Sequence, residues 1–278
     1  MIKNIVKKLK SLFHTSKIVP AFIETSQDKS LEGRTALVSG GSSGIGFEIS
    51  RAFLQAGAEV IICGRNPQKL KKSLQELEVF GNVRAIELDI ADITAMENTV
   101  SELLKNDKIH IDILVNSAGT NSSEKFGSIT EKMYDQVLNT NVKGILFLSQ
   151  IIANYMKDNH IKGNILNITS TGSFRPADTA YRISKWGLRG LTLGMAKSLI
   201  KDDIVVNGIA PGPTATSMLS ASNEDISWVR NPSGRMVTVE EVAELAKYMV
   251  SGKGRMLVGE IVCLSGGAGV LTFDDVDY

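Results

Sequence analysis

The 278-residue chain contains little cysteine and little histidine. Its two cysteines, Cys63 and Cys263, both lie in apolar, strand-like stretches. This placement is typical of reduced core residues in a cytosolic protein and argues against a disulfide framework. The three histidines, His14, His110 and His160, are scattered and share no site-like neighbourhood, so a metal centre is not expected.

Long apolar runs and a strong charge of either sign are also missing. No run approaches the roughly 18 residues of a membrane-spanning helix. The net charge of +1 argues against nucleic acid as the main partner. A hydrophobic fraction of 43% is enough for a large core, and α/β domains of about 250 residues are common. We therefore expect one cytoplasmic domain that acts on small molecules.

Charge is uneven only at the two ends. Residues 1–30 carry six lysines against Glu24 and Asp28, with apolar residues at helical spacing up to Phe13. This pattern predicts a basic amphipathic extension, which either contacts an anionic membrane surface weakly through residues 1–13 or packs on the body or a neighbouring subunit. Residues 31–267 form the predicted dinucleotide-binding and catalytic domain, and 268–278 an acidic tail.

From Thr35 onward, short apolar runs alternate with helical patterns, which predicts a doubly wound α/β sheet with helices on both faces. Several runs are apolar almost throughout, as expected for buried parallel strands. The seven predicted strands are Thr35–Ser39, Glu59–Cys63, Val83–Asp89, Ile111–Asn116, Gly163–Thr169, Val205–Ala210 and Glu260–Leu264. The predicted helices span 44–57, 67–78, 94–106, 131–157, 181–200 and 239–251. Only 213–235 looks irregular, and we expect it to lie over the site.

A glycine-rich turn joins the first predicted strand to the first predicted helix. Glycine lets a backbone turn sharply and approach a pyrophosphate, while a helix N-terminus offers N–H groups and a positive dipole end. An ordinary Gly/Ser turn is the other interpretation, but the strand before and the helix after favour dinucleotide binding. The predicted contacts here are Gly40, Ser42, Ser43, Gly44, Ile45 and Gly46.

The end of the second predicted strand bears on the choice of cofactor. NAD enzymes place an acid near this point, whereas an arginine accommodates the 2′-phosphate of NADP. Here no acid is present and Arg65 follows the strand, so we expect NADP(H) rather than NAD(H), unless Arg65 is only a solvated surface residue. Asp89 is placed to bind the adenine amine. Asn116, Ala118 and Gly119 lie where the chain must run past the cofactor.

Lys185 lies four positions after Tyr181, which places the phenol and the ammonium on one face of a helix. Such a pair alone carries little information. Together with Ser170 and the glycine turn it indicates hydride transfer to or from a carbonyl.

These motifs resemble those of the short-chain dehydrogenase/reductase family over residues 31–267. Ser39 replaces the threonine of the family's glycine turn, and Ser117 replaces the second asparagine of its Asn-Asn-Ala-Gly element. The resemblance implies a single-domain, Rossmann-type fold and a homodimer or homotetramer. It also implies catalytic roles and nicotinamide contacts for particular residues. The catalytic residues are Asn141, Ser170, Tyr181 and Lys185, and the nicotinamide contacts are Pro211, Gly212 and Thr216.

The interval from Ser170 to Tyr181 is shorter than is usual in the family, so Ser173 and Thr169 remain alternatives for the serine. In the implied mechanism, Tyr181 is the proton donor and acceptor. A tyrosine pKa of ~10 is too high near neutrality, so we expect Lys185 to lower it and to bind the nicotinamide ribose. Ser170 would bind the substrate oxygen, and Asn141 would hold a water in a proton relay.

Other functions remain open at this stage. A sugar-nucleotide epimerase or dehydratase shares the Tyr-Lys pair, and a non-catalytic NADP(H) sensor or scaffold needs only the cofactor turn. The sequence does not decide whether the substrate is a 3-oxoacyl thioester, a keto-sugar or sugar nucleotide, or another ketone. Arg175 is a candidate for an anionic substrate group, with Phe174, Met218 and Trp228 as an apolar wall. Three glycines of the helix that begins near Tyr181 indicate close approach by a partner helix or by the chain's own sheet: Gly187, Gly190 and Gly194.

Overall fold

A computed structural model describes residues 28–105, 109–122, 124–216 and 225–272. In these ranges the chain forms one parallel sheet in the order β3-β2-β1-β4-β5-β6-β7. The strands are β1 (Thr35–Ser39), β2 (Glu59–Gly64), β3 (Val83–Glu87), β4 (Ile113–Asn116), β5 (Asn164–Ile168), β6 (Val205–Pro211) and β7 (Ile261–Leu264). The predicted doubly wound, Rossmann-type, seven-stranded sheet is confirmed.

Seven α-helices cover the sheet in the described ranges. Most begin where a polar side chain accepts a hydrogen bond from a backbone N–H of the first turn, which satisfies a donor that the helix leaves without a partner. Such caps are Asn66, Asp92, Thr130, Thr179 and Thr238. The helices are α1 (Gly44–Gln55), α2 (Pro67–Leu77), α3 (Ile93–Leu104), α4 (Glu131–Leu138), α5 (Ile145–Asp158), α6 (Ala180–Leu199) and α7 (Val239–Val250).

The sheet divides the core into two layers. Ile49 and Phe53 of α1 pack with Val242 of α7 on one face. Leu148 of α5 and Leu188 of α6 pack on the other. Each of these side chains is fully buried, and burying a side chain of this size contributes about 1.5–3 kcal/mol. Two buried faces explain why the central strands are apolar almost throughout.

The predicted helix 131–157 is interrupted. A π-helical turn, Asn139–Gly144, separates α4 from α5 and contains Asn141. Its last residue packs so closely on the loop after β3 that a Cβ atom at Gly144 would lie 2.3 Å from the carbonyl oxygen of Ile90. Single π-turns within helices are frequent at functional sites. The hydrophobic period predicts one continuous helix because one π-turn hardly changes the pattern.

Several predicted boundaries and segments need comment. β3 ends at Glu87 rather than Asp89, and β4 begins at Ile113 rather than Ile111. The described parts of 213–235 are irregular and contain isolated bridges such as Ser227 with Arg235. The predictions for residues 1–27, including the membrane contact of 1–13, fall outside the described residues, as do Met218 and the acidic tail from 273. None of the helices in the described ranges has the length and apolar character needed to cross a membrane.

The glycines of α6 separate into two groups. A Cβ atom at Gly187 would lie 3.4 Å from Val142. At Gly190 and Gly194 an added Cβ would meet no atom of the described residues within 4 Å. Packing against the chain's own sheet is therefore wrong as an explanation for these two glycines. A partner helix from a second subunit stays a prediction.

Candidate active site

The carboxyl ends of β1, β4, β5 and β6 surround a cavity of about 510 Å³. The sheet order reverses between β1 and β4, and ligands of open α/β sheets bind in the crevice at such a switch point. Many of the predicted site residues contribute to its wall. They are Gly40, Ser43, Gly44, Ile45, Ala118, Gly119, Ser170, Tyr181, Lys185, Pro211, Gly212 and Thr216.

The glycine turn requires glycine for steric reasons. Gly40 has φ 71°, and a Cβ atom there would lie 2.8 Å from the Cα of Ala118. At Gly46 a Cβ would lie 2.4 Å from the carbonyl oxygen of Gly40. The start of α1 is thereby held directly against the end of β1.

The N-terminus of α1 faces this cavity. Ser43 occupies the N-cap position in an extended conformation, and among the described residues no side chain caps the helix. Ser43, Gly44 and Ile45 all line the cavity. N–H groups without a partner and a positive dipole end make this a place for an anion such as a pyrophosphate. The residues therefore fit a dinucleotide.

The Ser42 side chain lies close to the end of β2, directly before Arg65, and neither Ser42 nor Arg65 contributes to the cavity lining. A Cβ atom at Gly64, directly before Arg65, would lie 3.3 Å from the Ser42 Oγ. The Ser42 carbonyl accepts a hydrogen bond of 3.0 Å from the Ser73 hydroxyl, which fixes the turn against α2. Arg65 is exposed. A hydroxyl and a guanidinium at this point are suitable donors for a phosphate.

Asp89 is half-buried in the loop after β3, where its Oδ1 accepts a hydrogen bond of 3.0 Å from the Ala91 N–H. It follows the strand next to β2, so it lies at the same edge of the sheet as Arg65. Arg65 and Asp89 thus lie at the same edge of the sheet, and neither contributes to the cavity lining described above.

Asn116 lies beneath the cavity, not on its wall. Its side chain is fully buried, and its Nδ2 donates to the Ser149 Oγ of α5 and the Asn167 Oδ1 of β5, both at 2.9 Å. Asn167 donates in turn to Thr192 of α6 at 2.8 Å. The prediction that Asn116 contacts the cofactor is not supported by this side-chain position. The amide instead holds β4, β5 and two helices together below the site.

Asn141 anchors the loop that follows β4. Its Nδ2 donates to the Thr120 carbonyl at 2.8 Å and to the Ser184 Oγ at 3.0 Å, and its Oδ1 accepts from the Thr120 N–H at 2.8 Å. A Cβ atom at Gly119 would lie 3.4 Å from this Oδ1 and 3.9 Å from the Lys185 Nζ. Both side-chain N–H donors are thus used within the protein, which leaves one lone pair of Oδ1 for a water.

Tyr181 lies in the first turn of α6, and its hydroxyl shares a hydrogen bond with the Ser170 side chain. Ser170 begins a 3₁₀ turn, Thr171–Phe174, and its Oγ accepts from the Gly172 N–H at 3.0 Å. The two alternative hydroxyls are buried and donate to backbone carbonyls, Thr169 to Ile209 at 2.8 Å and Ser173 to Ser170 at 2.7 Å. Ser170 is thus the hydroxyl that faces the phenol.

Lys185 is 5% exposed, and its Nζ donates to the Ile168 carbonyl at 2.9 Å. Burial lowers the pKa of Lys185 to about 8. The Nζ lies 5.6 Å from the centroid of the Tyr181 ring. Burial raises the pKa of Tyr181, and the hydrogen bond to Ser170 lowers it only in part. The predicted lowering of the Tyr181 pKa by Lys185 is therefore not seen in the protein alone, where burial is the largest influence and raises this pKa.

Three supporting residues were missed at the sequence level. Thr179 caps α6 by accepting from the Arg182 N–H at 3.1 Å, which fixes where Tyr181 lies on the helix. Trp186 Nε1 donates to the Arg175 carbonyl at 2.8 Å. The guanidinium of Arg189 stacks on the Phe174 ring at 4.0 Å. Phe174 thus ties the 3₁₀ turn to α6 instead of forming the predicted apolar wall. Of these three, the Thr179 cap had a signal in the sequence, namely a threonine two residues before the tyrosine.

The histidines do not form a metal site in the described ranges, where no three His, Cys, Asp or Glu side chains are grouped for one. One expectation about them is wrong. His110 and His160 both line a surface cavity of about 440 Å³, which also includes Arg34 and Lys162. Two histidines far apart in sequence meet there because both follow the ends of helices at the amino edge of the sheet.

Comparisons with known proteins agree with this geometry. The family model for short chain dehydrogenase matches residues 34–227. Gluconate 5-dehydrogenase of Gluconobacter oxydans (strain 621H) is 33% identical over 246 residues, which cover 86% of this chain and 95% of that protein.

Two solved structures extend the comparison. The Pseudomonas aeruginosa RhlG/NADP active-site complex has a TM-score of 0.81 at 29% identity, and the match covers 88% of this chain and 100% of that one. A 3-ketoacyl-(acyl-carrier-protein) reductase from Brucella melitensis complexed with NADH has a TM-score of 0.78 at 26% identity, covering 85% and 98%. Relatives of both cofactor types therefore share the fold. The chain belongs to the short-chain dehydrogenase family of oxidoreductases, whose members bind a nicotinamide cofactor.

Proposed function

We propose that this protein interconverts a carbonyl and a secondary alcohol with NADP(H), and that Tyr181 is the proton donor and acceptor. The observation that carries the proposal is the hydrogen-bonded pair of Tyr181 and Ser170 on the wall of a cavity that the glycine turn also lines. A nicotinamide cofactor bound along that turn supplies or accepts the hydride.

In the reductive direction, the carbonyl oxygen of the substrate accepts hydrogen bonds from Ser170 and Tyr181. As the hydride reaches the carbonyl carbon, negative charge develops on this oxygen, and the phenol transfers its proton to it. The products are the secondary alcohol and a phenolate, which is reprotonated from solvent. The raised pKa of Tyr181 keeps the phenol protonated at neutral pH before the reaction, which suits the reductive direction.

Lys185 and Asn141 organise this site. An ammonium has three N–H donors, and one of them binds the Ile168 carbonyl. The other two N–H donors bind the ribose hydroxyls of the cofactor in this proposal. The positive charge stabilises the phenolate. Asn141 fixes the loop at Thr120 beside Lys185. The Asn141 Oδ1 accepts a hydrogen bond from the water of the proposed proton relay.

The first test is an NADPH oxidation assay with a panel of oxo acids, keto-sugars and 3-oxoacyl thioesters. We expect net NADPH consumption with at least one class. An epimerase returns its hydride to the substrate, so it would convert a sugar nucleotide with no net consumption. A cofactor-binding sensor would bind NADPH tightly and turn over nothing. Either result would overturn the proposed oxidoreduction.

The preference for NADP(H) is carried by Arg65 together with the nearby Ser42. Replacing Arg65 with Gln should lower kcat/KM for NADPH by about tenfold, since a hydrogen bond to a charged group contributes about 1.5–3 kcal/mol and Arg65 is exposed. The value for NADH should change little, because NADH lacks the 2′-phosphate. Initial rates at varied cofactor concentration measure both.

Arg84→Gln is the matched control, because Arg84 is an exposed arginine in β3 that does not line the candidate site. It should leave both constants unchanged. Equal losses for NADPH and NADH in the Arg65 variant would remove the argument for a 2′-phosphate contact.

A further inference from the structure

Strongly exposed apolar side chains are concentrated beside the candidate active-site cavity. Five large apolar residues of the described ranges are 75% exposed or more: Val79, Phe126, Val229, Met256 and Leu271. Val79 and Met256 precede β3 and β7 at the amino edge of the sheet. The other three lie in loops that follow β4, β6 and β7, at the carboxyl edge where the cavity opens. Single exposed apolar side chains are common on protein surfaces, but a group of them beside a cleft indicates a binding surface.

Two of these three residues directly follow residues of the cavity wall. Phe126 follows Lys125, and its N–H donates to the Asp178 carbonyl at 2.7 Å, which fixes the loop after β4 against the loop that leads into α6. Val229 follows Trp228, which also lines the cavity. Both exposed side chains therefore start from backbone that borders the cavity.

The third residue is placed beside the wall by the chain after β7. Gly269 has φ 70°, and a Cβ atom there would lie 2.9 Å from the Cβ of Thr171 and 2.9 Å from the Nε of Arg175. Thr171 and Arg175 both line the cavity, so this segment packs directly against its wall. The next two residues, Val270 and Leu271, are 59% and 79% exposed. Four exposed side chains thus form an apolar rim: Phe126, Val229, Val270 and Leu271.

Trp228 continues this apolar surface into the cavity. It is half-buried and packs on a small apolar cluster formed by Ala215, Ile226 and Met236. Its backbone N–H donates to the Gly234 carbonyl at 2.9 Å, which holds the loop in place. An apolar group that leaves the cavity past Trp228 would therefore remain in contact with apolar side chains.

The small extent of the apolar rim limits what can bind to it. Stable protein interfaces bury about 1,200–2,000 Å² in total. Four side chains on three loops offer only a small part of such an area. A narrow chain that runs out of the cavity needs no larger surface, because each methylene group that leaves water contributes separately to binding.

We infer that the substrate carries a hydrocarbon chain, which runs from the reacting carbonyl past Trp228 to the apolar rim. Ser170 and Tyr181 hold the carbonyl oxygen, as in the proposed reaction, and the chain is bound because its apolar surface is removed from water. The inference favours acyl-type and other long-chain ketones over keto-sugars, whose hydroxyl groups would lose hydrogen bonds with water against an apolar rim. It rests on the proposed function, because it names the substrate class of the same site.

Binding of a series of methyl ketones, from butanone to undecanone, tests the inference whether or not hydride is transferred. Calorimetry with the protein saturated with NADP⁺ measures each affinity. We expect the affinity to rise by about two- to fourfold for each added methylene group once the chain reaches the apolar rim. Butanone is too short to reach the rim and should bind weakly.

A variant that combines Phe126→Ser, Val229→Ser and Leu271→Ser should bind butanone as the wild-type protein does and lose most of the rise for the longer ketones. The matched control combines Val79→Ser with Met256→Ser, which removes two equally exposed apolar side chains at the other edge of the sheet. It should leave the whole series unchanged. Because all five side chains are exposed, both variants should fold, and thermal unfolding and NADPH binding check this.

Affinity in the wild-type protein that is absent or does not increase with chain length would overturn the inference. So would a rise that persists unchanged in the folded rim variant. If the rim instead binds a second copy of the chain, the rim variant would change the sedimenting mass and leave the ketone series unchanged, which also overturns it. Failure of the proposed function is seen separately, as absence of NADPH oxidation with every carbonyl.

Discussion

Tyr181→Phe should lower turnover by about 10²–10⁴-fold, the usual contribution of a general acid, and should leave NADPH binding nearly unchanged. The substitution removes one hydroxyl from a half-buried ring. Ser170 would still bind the carbonyl oxygen, but no group would remain to donate the proton. Steady-state rates and the quenching or enhancement of NADPH fluorescence measure the two effects on one sample.

Tyr248→Phe is the matched control, because Tyr248 is 48% exposed and belongs to α7. It should retain wild-type turnover. The pH profile adds a second readout. Since burial raises the pKa of Tyr181, alcohol oxidation, which needs the phenolate, should rise with pH through and above neutrality. Wild-type turnover in Tyr181→Phe would exclude this tyrosine as the acid.

Lys185→Met should inactivate the protein and also stabilise it. Turnover should fall by about 10²-fold or more, since the charge that stabilises the phenolate is lost. The buried ammonium, however, has its pKa lowered from 10.5 to about 8, which means that burial opposes the charged form. Replacing it with an apolar side chain of similar length should raise the free energy of unfolding by about 1–3 kcal/mol at neutral pH, after the lost hydrogen bond to Ile168 is subtracted.

The stability that Lys185→Met gains over the wild-type protein should decrease as the pH rises. Below about pH 8 the folded wild-type protein carries the full cost of the buried charge, and between about pH 8 and 10.5 the unfolded state binds more protons than the folded state. Wild-type stability therefore rises across this window and the advantage of Lys185→Met shrinks. Denaturant titrations at several pH values measure this, with Lys197→Met, an exposed position of α6, as control. A difference in the free energy of unfolding between the wild-type protein and Lys185→Met that does not change with pH would contradict a buried, charged Lys185.

Local patterns were sufficient to predict the fold. The apolar runs predict all seven strands, because strands buried on both faces have little freedom in composition. The glycine turn predicts the carboxyl-end site for a similar reason, since a Cβ atom at Gly46 would meet the carbonyl oxygen of Gly40 within the same turn. Constraints that act between residues close in sequence can therefore be recognised from the sequence alone.

Features that depend on contacts between residues far apart in the sequence could not be predicted in this way. The π-turn at Asn141 depends on the packing of Gly144 against Ile90. The inward position of Asn116 depends on partners in β5 and α5. The pKa of Tyr181 depends on how deeply the ring and Lys185 are buried, which the four-residue spacing does not determine. These are properties of the assembled tertiary structure.

The packing of Gly269 against Arg175 has a consequence for how the sequence can diverge. Gly269 lies beyond the last strand and beyond the residues that the family model matches. Segments outside the sheet tolerate insertions and substitutions that strands do not. Divergence in residues 268–272 can therefore change the packing behind Arg175 at the cavity wall while the sheet stays as it is. The backbone that packs behind Arg175 can therefore diverge independently of α6, which carries Tyr181 and Lys185.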